Sequence, residues 1–465
     1  MSNTSTATIS DIRKFNFHDY IRNYKNRNLL YRLGYLINLL PLNRLKLYSI
    51  KLLIDQLKAH TKDFKSYVHY VKLFNELNDD NSEAIEVDND WLNRIENEVK
   101  SNLESLEVEL KTYSNNLIKE SIRMSYHSLG QYYKQCGSLQ SSLKNFNNMK
   151  DYCSTSNQVI DMSLNVIDLA IELNNYSLVR NTLIKAQVAF DTTSNSNNSK
   201  KVDKQLYNKL VLAGAVADLG HGHYEKVVQN LIKIDDSSLS NDSFPLDWMV
   251  TTSDVATYIA LCSLATSDRS ILRVDILDND NLRNKFEAEP HTRDLIQSFY
   301  DSKYKRVFEI LNDYSARYYF DPHLNPHVNN LFSMIYKRSI IQYFQSFKTL
   351  PLERISKAFG KPSNVLLGDV LSLIKDGFLN ARYDSFTNTL IAVQDDIRMD
   401  VFKKAIKLSE NSDQSSRQMI LRMKLQQNNL LVKGQIDEFN INKSNNNSND
   451  LINTEFEIMN DQQTQ

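Results

Sequence analysis

Glycine occurs ten times and proline seven times in 465 residues, where average usage of about 7% and 5% would give roughly thirty and twenty. This scarcity constrains the fold more than any motif. Glycine-rich phosphate loops, dinucleotide crevices and turn-dense β-sandwiches all draw on glycine for φ > 0 and tight turns. Hydrophobic residues make up 41% of the chain, enough for a packed core. A helix-dominated fold is what remains.

Lys and Arg total 55 and Asp and Glu 56, a formal net charge of −1. No global field therefore draws the chain to nucleic acid or to an anionic membrane. Cys136, Cys153 and Cys262 stand far apart, with no CxxC spacing, which reads as an intracellular protein with reduced thiols. The N-terminal run MSNTST is polar, unlike a signal peptide. The most apolar stretch, Leu29–Leu42, is interrupted by Arg32, Asn38 and Pro41, short of the ~18 apolar residues of a membrane span. A soluble protein without membrane contact is expected.

Between polar, Asn-rich runs at Asp191–Lys200 and Asn440–Asp450, and an acidic loop at Asn78–Asp90, apolar residues recur at helical spacing. Leu45, Ser49, Leu52, Leu53 and Leu57 trace one face; Trp91, Ile95, Val99, Leu103, Leu106 and Leu110 trace another. Pairs of such helices flank short breaks at Asn174–Asn175, at Gly220–Gly222 and at Asp301–Lys303. Short breaks predict antiparallel hairpins stacked in series. The clearest repeat is tetratricopeptide-like: Tyr126, Leu129, Gly130 and Tyr133 on the first helix, Ser142 and Phe146 on the second. The small Gly130 allows the helices to approach, and the aromatics fill the groove between hairpins.

The pattern changes after Lys348. Pro351–Phe359 is a short amphipathic helix stopped by Gly360. Ser363 is expected to cap a second helix with inner face Leu366, Val370, Leu371 and Ile374. Two β-like segments follow, Phe378–Tyr383 and Thr389–Val393, around a polar turn. Helix, helix, strand, turn, strand predicts a winged helix, with Val328–Phe347 as a bridging helix. The expected organisation is a mainly α chain. A polar tail (1–17) precedes a tetratricopeptide-like helical-repeat solenoid (18–325) with an insert at 191–200. A winged-helix module (326–397), a C-terminal helical tail (398–433) and a disordered end (434–465) complete it.

No catalytic constellation emerges. His221-Gly-His223 is an HxH pair, but the positions where a zinc isopeptidase needs Ser and Asp hold Leu231 and Ile234. His323 and His327 are four apart but separated by Pro326. HExxH, GxSxG and GxxxxGK[ST] do not occur. Cys153 reads as a small hydrophobe on a helix face, and Asp395-Asp396 as a solvated pair. No cofactor or metal is expected. The second winged-helix helix, Ser363–Lys375, carries Asp369 and Lys375 but no arginine, and Lys357 and Lys361 are too few for phosphate neutralisation. Protein partners are expected rather than nucleic acid.

A helical-repeat array ending in a winged helix resembles the PCI-domain family, scaffold subunits of the proteasome lid, the COP9 signalosome and a translation initiation complex. LIKESIRM at Leu117–Met124, Asp151-Tyr152-Cys153, YIALCSLATSDR at Tyr258–Arg269 and FYDSKY at Phe299–Tyr304 are similar to the subunit-1 branch of the signalosome. The resemblance implies a non-catalytic subunit of a complex that removes NEDD8 from cullins and so regulates cullin–RING ligases, contacting those ligases indirectly. It implies a cytoplasmic and nuclear protein, bound to other signalosome subunits through its winged helix and C-terminal helix. Leu379, Ala381, Tyr383, Leu390 and Ala392 would then carry strand-edge contacts, and Ile420, Met423 and Leu430 those of the tail. A proteasome-lid scaffold and an RNA-associated PCI protein of translation or mRNA export are the competing expectations.

Overall fold

A computed structural model describes residues 17–24, 26–40, 43–78, 85–194, 200–234, 250–393, 397–428 and 430. Of the expected polar tail at 1–17, residues 1–16 lie outside them, while Phe17 opens the first helix; the run at 440–450 and the end at 434–465 also lie outside them. The 191–200 insert is shorter than expected, because helix continues to Ser194 and resumes at Lys200. Residues through Ala392 form one unit and those from Val393 a second.

The first unit opens with α1 (Phe17–Arg22), α2 (Asn26–Leu39), α3 (Asn43–His60), α4 (Phe64–Leu77) and α5 (Asn89–Asn115). Three hairpins follow: α6 (Lys119–Gln135) with α7 (Leu139–Met149), α8 (Ser156–Glu172) with α9 (Tyr176–Ser194), and α10 (Lys200–Gly220) with α11 (Tyr224–Ile232). Then come α12 (Thr252–Thr266), α13 (Arg269–Ile271) running into a π-helical turn, α14 (Asp280–Ala288), α15 (Pro290–Tyr300), α16 (Tyr304–Asp313), α17 (Ser315–Phe320) and α18 (Asn325–Gln345).

One turn chemistry builds the hairpins. At Gly137, Asn174, Gly222 and Ser302 the backbone is left-handed, with φ of 76°, 56°, 77° and 61°. The following N–H reaches back five residues, to Tyr133, Ala170, Asp218 and Ser298 carbonyls at 2.8–3.0 Å. This satisfies the orphan carbonyls of the first helix and reverses the chain in three residues. The repeat thus lives in turn geometry that two glycines, an asparagine and a serine all serve. Within α6–α7, Gly130 lies under the Phe146 ring, and Ser142 Oγ donates to the Gly130 carbonyl at 2.6 Å. The tetratricopeptide positions therefore do what their side-chain sizes predict.

α12 is buried on every face, so its sequence shows no amphipathic period. α2 crosses the array. Arg32 is fully buried; it donates to Tyr20 Oη and to Asp254 of α12, both at 2.9 Å, and lies 3.6 Å from Asp321. Its guanidinium stacks 4.1 Å from the Tyr24 ring. Tyr24 and Tyr258 hydroxyls donate to Asp254 and Asp321, each at 2.6 Å. This network joins residues more than two hundred positions apart and ties the N-terminal helices to the middle of the array.

The winged helix follows α18: β1 (Thr349–Pro351), α19 (Leu352–Phe359), α20 (Ser363–Lys375), β2 (Ala381–Asp384) and β3 (Thr389–Ala392). Its core is continuous with that of the array. Phe359 stacks on Tyr304 of α16 with centroids 5.1 Å apart, among Phe308, Tyr336 and Tyr343. Tyr336 Oη donates to Asp369 at 2.8 Å, binding α18 to α20. Two expectations need correction. Pro362, not Ser363, occupies the cap position of α20, and no side chain caps it. The buried face is Leu366, Val370 and Leu373, with Leu371 only half-buried, because i, i+4, i+7 spacing points 373 inward.

Candidate interaction surfaces

The wing's sheet has three strands, in the order β1-β3-β2, all antiparallel. β3 is therefore central, which corrects the expectation that Leu390 and Ala392 lie on an open edge. The Ala392 N–H donates to the Lys348 carbonyl at 2.8 Å, within the chain. Leu390 pairs with both Leu350 and Tyr383 and is 1% exposed. Leu379 and Ala381 are buried as well. These three side chains fill the module's core instead of facing a partner. The added strand, Thr349–Pro351, escapes sequence patterning because it is three residues long and forms only by long-range pairing.

Strand alternation locates the main-chain groups still available. The Ala392-to-Lys348 bond turns the N–H and C=O of residues 390 and 392 toward β1, and those of 389 and 391 toward β2. The main-chain groups of Tyr383 then face the outer side of β2. On β1 the outer side includes Pro351, which has no N–H to offer. Of the expected strand residues, Tyr383 alone stands on an outer edge with a donor.

The turn after β2 presents Phe386, 94% exposed. The turn is well tied: Asp384 accepts from the Phe386 N–H at 3.0 Å and from Thr387 Oγ1 at 2.7 Å, and Tyr383 Oη donates to Asn388. The Thr387 bond and the Phe386 N–H hold the Asp384 carboxyl below its usual range. Asp369 of α20 is engaged by Tyr336, and Lys361 sits 3.6 Å from the Tyr336 ring centroid. The helix that would read a DNA groove thus presents no row of cations.

The second unit contains α21 (Ile397–Gln427). Ile420 and Met423 are 53% and 55% exposed, and Leu430, just beyond the helix, 67%. Met419 and Leu421 are also exposed, so the apolar patch is broader than three residues. A second patch, which sequence inspection missed, comprises Met399, Val401, Phe402, Ile406 and Leu408. Phe402 and Ile406 stand at the four-residue spacing that shares a helix face. The polar stretch Ser409–Gln418 separates the two.

Groups with chemical potential sit in inert settings. Burial pushes the Cys262 thiol up to about 12 and raises Cys136 and Cys153, opposite to what a nucleophile needs. His221 and His223 rings are 6.3 Å apart, while Leu231 and Ile234 are buried in the core. Burial lowers His323 to about 4 and so keeps it neutral. Among the described residues no three His, Cys, Asp or Glu side chains converge as a metal site, and no helix is long and apolar enough to cross a membrane.

Comparison with known proteins fits these surfaces to a family. The profile of 26S proteasome subunit RPN7 matches residues 88–274, and that of the PCI domain residues 311–394. COP9 signalosome complex subunit 1 of Emericella nidulans is 32% identical over 89% of this chain and 82% of its own length. The Arabidopsis thaliana protein of the same name is 31% identical over 87% and 88%. The 26S proteasome non-ATPase regulatory subunit 6 of Dictyostelium discoideum is more distant, at 20% over 70% and 81%. With these identities spanning both the repeat array and the winged helix, the chain belongs to the COP9 signalosome complex subunit 1 family.

Proposed function

We propose that this chain is a non-catalytic assembly subunit of a COP9 signalosome, the complex that takes NEDD8 off cullins and thereby regulates cullin–RING ubiquitin ligases. Identity of 31–32% to signalosome subunits over more than four-fifths of the chain carries the reading. Raised thiol pKa values and the apolar residues at the HxH ligand positions support a scaffold role. The isopeptidase then belongs to another subunit. The outer edge of β2 at Tyr383 joins a neighbouring subunit's wing, and the apolar patches of α21 enter a shared helical bundle. Contact with cullin–RING ligases runs through the complex, which works in cytoplasm and nucleus.

Affinity purification of the tagged chain, in low and in high salt, tests this. Signalosome subunits should co-purify stoichiometrically in both, and cells lacking the chain should accumulate NEDD8-modified cullins. Recovery of proteasome-lid subunits, or of RNA lost steeply with salt, would replace the reading with one of its competitors.

A further inference from the structure

Charge is divided unevenly along this chain. Between residues 17 and 77, which hold α1 to α4, eleven Lys and Arg stand against four Asp and Glu, while the rest of the chain carries 44 against 52. Four of the eleven pair with acids of later segments: Arg27 with Glu172, Arg32 with Asp254, Lys58 with Asp88 and Lys62 with Glu98. Arg44 and Lys51 do not. Both stand exposed on α3, with no carboxylate at ion-pair distance among the described residues.

The α3 sequence puts these two on one face. Arg44, Tyr48, Lys51 and Asp55 follow at i, i+4, i+7 and i+11, opposite the side through which Ile50, Leu53, Ile54 and Leu57 enter the core. Tyr48 is 40% exposed between the two cations, and Phe17 and His18 of α1 brace its ring with centroids 5.8 and 5.6 Å away. Asp55 is exposed and likewise without an ion pair.

The order of these groups selects the occupant. A phosphodiester chain laid along α3 would run from Lys51 onto Asp55, and a stacked base would compete with Phe17 and His18 for the Tyr48 ring. The main chain of α3 is bonded within its own helix, so recognition falls to side chains. Arg44 and Lys51 are seven residues apart, about 10 Å along the axis, and a facing helix repeats its contact side at the same interval. Two carboxylates on such a helix would meet the two cations, with an apolar side chain between them over Tyr48 and a cation opposite Asp55.

We propose that the Arg44–Tyr48–Lys51 face of α3 docks an acidic helix of a partner protein, through two carboxylates seven residues apart. This contact is separate from those of the wing and of α21.

The test measures binding of the full chain, at low salt, to fluorescein-labelled alanine-based helical peptides carrying Glu, Leu, Glu and Lys at i, i+4, i+7 and i+11, and to the same set in reversed order. Matched peptides have both Glu replaced by Gln or by Lys. The better Glu peptide should bind about fivefold more tightly than its Gln counterpart, an advantage that shrinks as salt rises. The double variant R44E/K51E should lose that advantage and favour the Lys peptide, and the milder R44Q/K51Q should abolish it without reversal. Circular dichroism of each variant checks folding. Equal binding of Glu and Gln peptides, no binding by any peptide, or indifference to both double substitutions overturns the proposal. Tighter binding of an oligothymidylate of equal length, lost in R44E/K51E, would assign the face to nucleic acid instead. Self-association of the chain that R44E/K51E abolishes would assign it to a second copy, and either result overturns the partner helix.

Discussion

Replacing Arg32 by methionine should loosen the N-terminal helices from the array. The guanidinium is fully buried, makes two 2.9 Å bonds, to Tyr20 and Asp254, and neutralises Asp254 and Asp321. Burial raises the Asp254 pKa, and the Arg32 charge opposes that rise. Methionine fills most of the volume but leaves two acids buried beside each other. Breaking a buried pair in this way costs about 3–5 kcal/mol, which at 1.4 kcal/mol per decade is a factor of roughly 10² to 4 × 10³ in local opening. A global unfolding free energy is poorly defined for so long an array, so amide hydrogen exchange is the better assay. Protection in α2 and in the first turns of α12 should fall by that factor while α20 stays unchanged. The combination R32M/D254N/D321N should lose less than R32M alone, because no charge is then stranded. Protection within threefold of wild type in R32M, or losses that simply sum in the triple variant, would refute the reasoning.

Other perturbations follow from the same contacts. A Cβ at Gly130 would stand 2.7 Å from the Phe146 ring, so Gly130→Ala should cost about 1–3 kcal/mol by thermal melting, and Phe146→Leu should recover part of it. Leu117 is held at φ 54° and is 82% exposed; Leu117→Gly should stabilise by roughly 0.5–1 kcal/mol, and a lowered melting point would contradict this. His323 is buried and neutral, with its pKa lowered to about 4. Its contribution is complete above the unfolded value of about 6.5 and is lost as pH falls toward 4, at about 1.4 kcal/mol per pH unit. Stability of His323→Leu should decline less than wild type between pH 6.5 and 5.

What could be read from the residues was local. Helical period, the short breaks between helices and the Gly130–Phe146 pairing depend on neighbours within a few dozen residues, and the hairpins appear where those signals lie. The structure adds what depends on distant pairing. Arg32 looked like an interruption in an apolar run, because its partners Asp254 and Asp321 lie on segments that only tertiary packing brings close. Thr349–Pro351 carries no strand signal of its own, yet pairing with residues 389–391 makes it a strand and turns β3 into the sheet centre. Leu390 looked like an edge contact, because alternation alone does not separate an edge position from a core one, and one extra strand places it in the core. The Phe402 patch on α21 was legible at i, i+4 spacing but was overshadowed by the more apolar run at 419–423.

The measurement closest to the central claim is co-purification of signalosome subunits with a matched set of variants, each checked for fold by circular dichroism. Ala392→Pro deletes the bond to Lys348 inside the sheet and should unfold the wing itself. Tyr383→Pro spares the pairing between β2 and β3 but removes the outward N–H, so it should leave the fold intact and weaken lateral docking. Truncation after Ser412 removes the patch at Met419–Leu430, keeps the one at Met399–Leu408, and should weaken incorporation without abolishing it, as expected of linked contacts. The account predicts a folded Tyr383→Pro chain that has lost its wing neighbour and a truncated chain that still retains some. Full assembly by Tyr383→Pro, or loss of every partner on truncation, would contradict it.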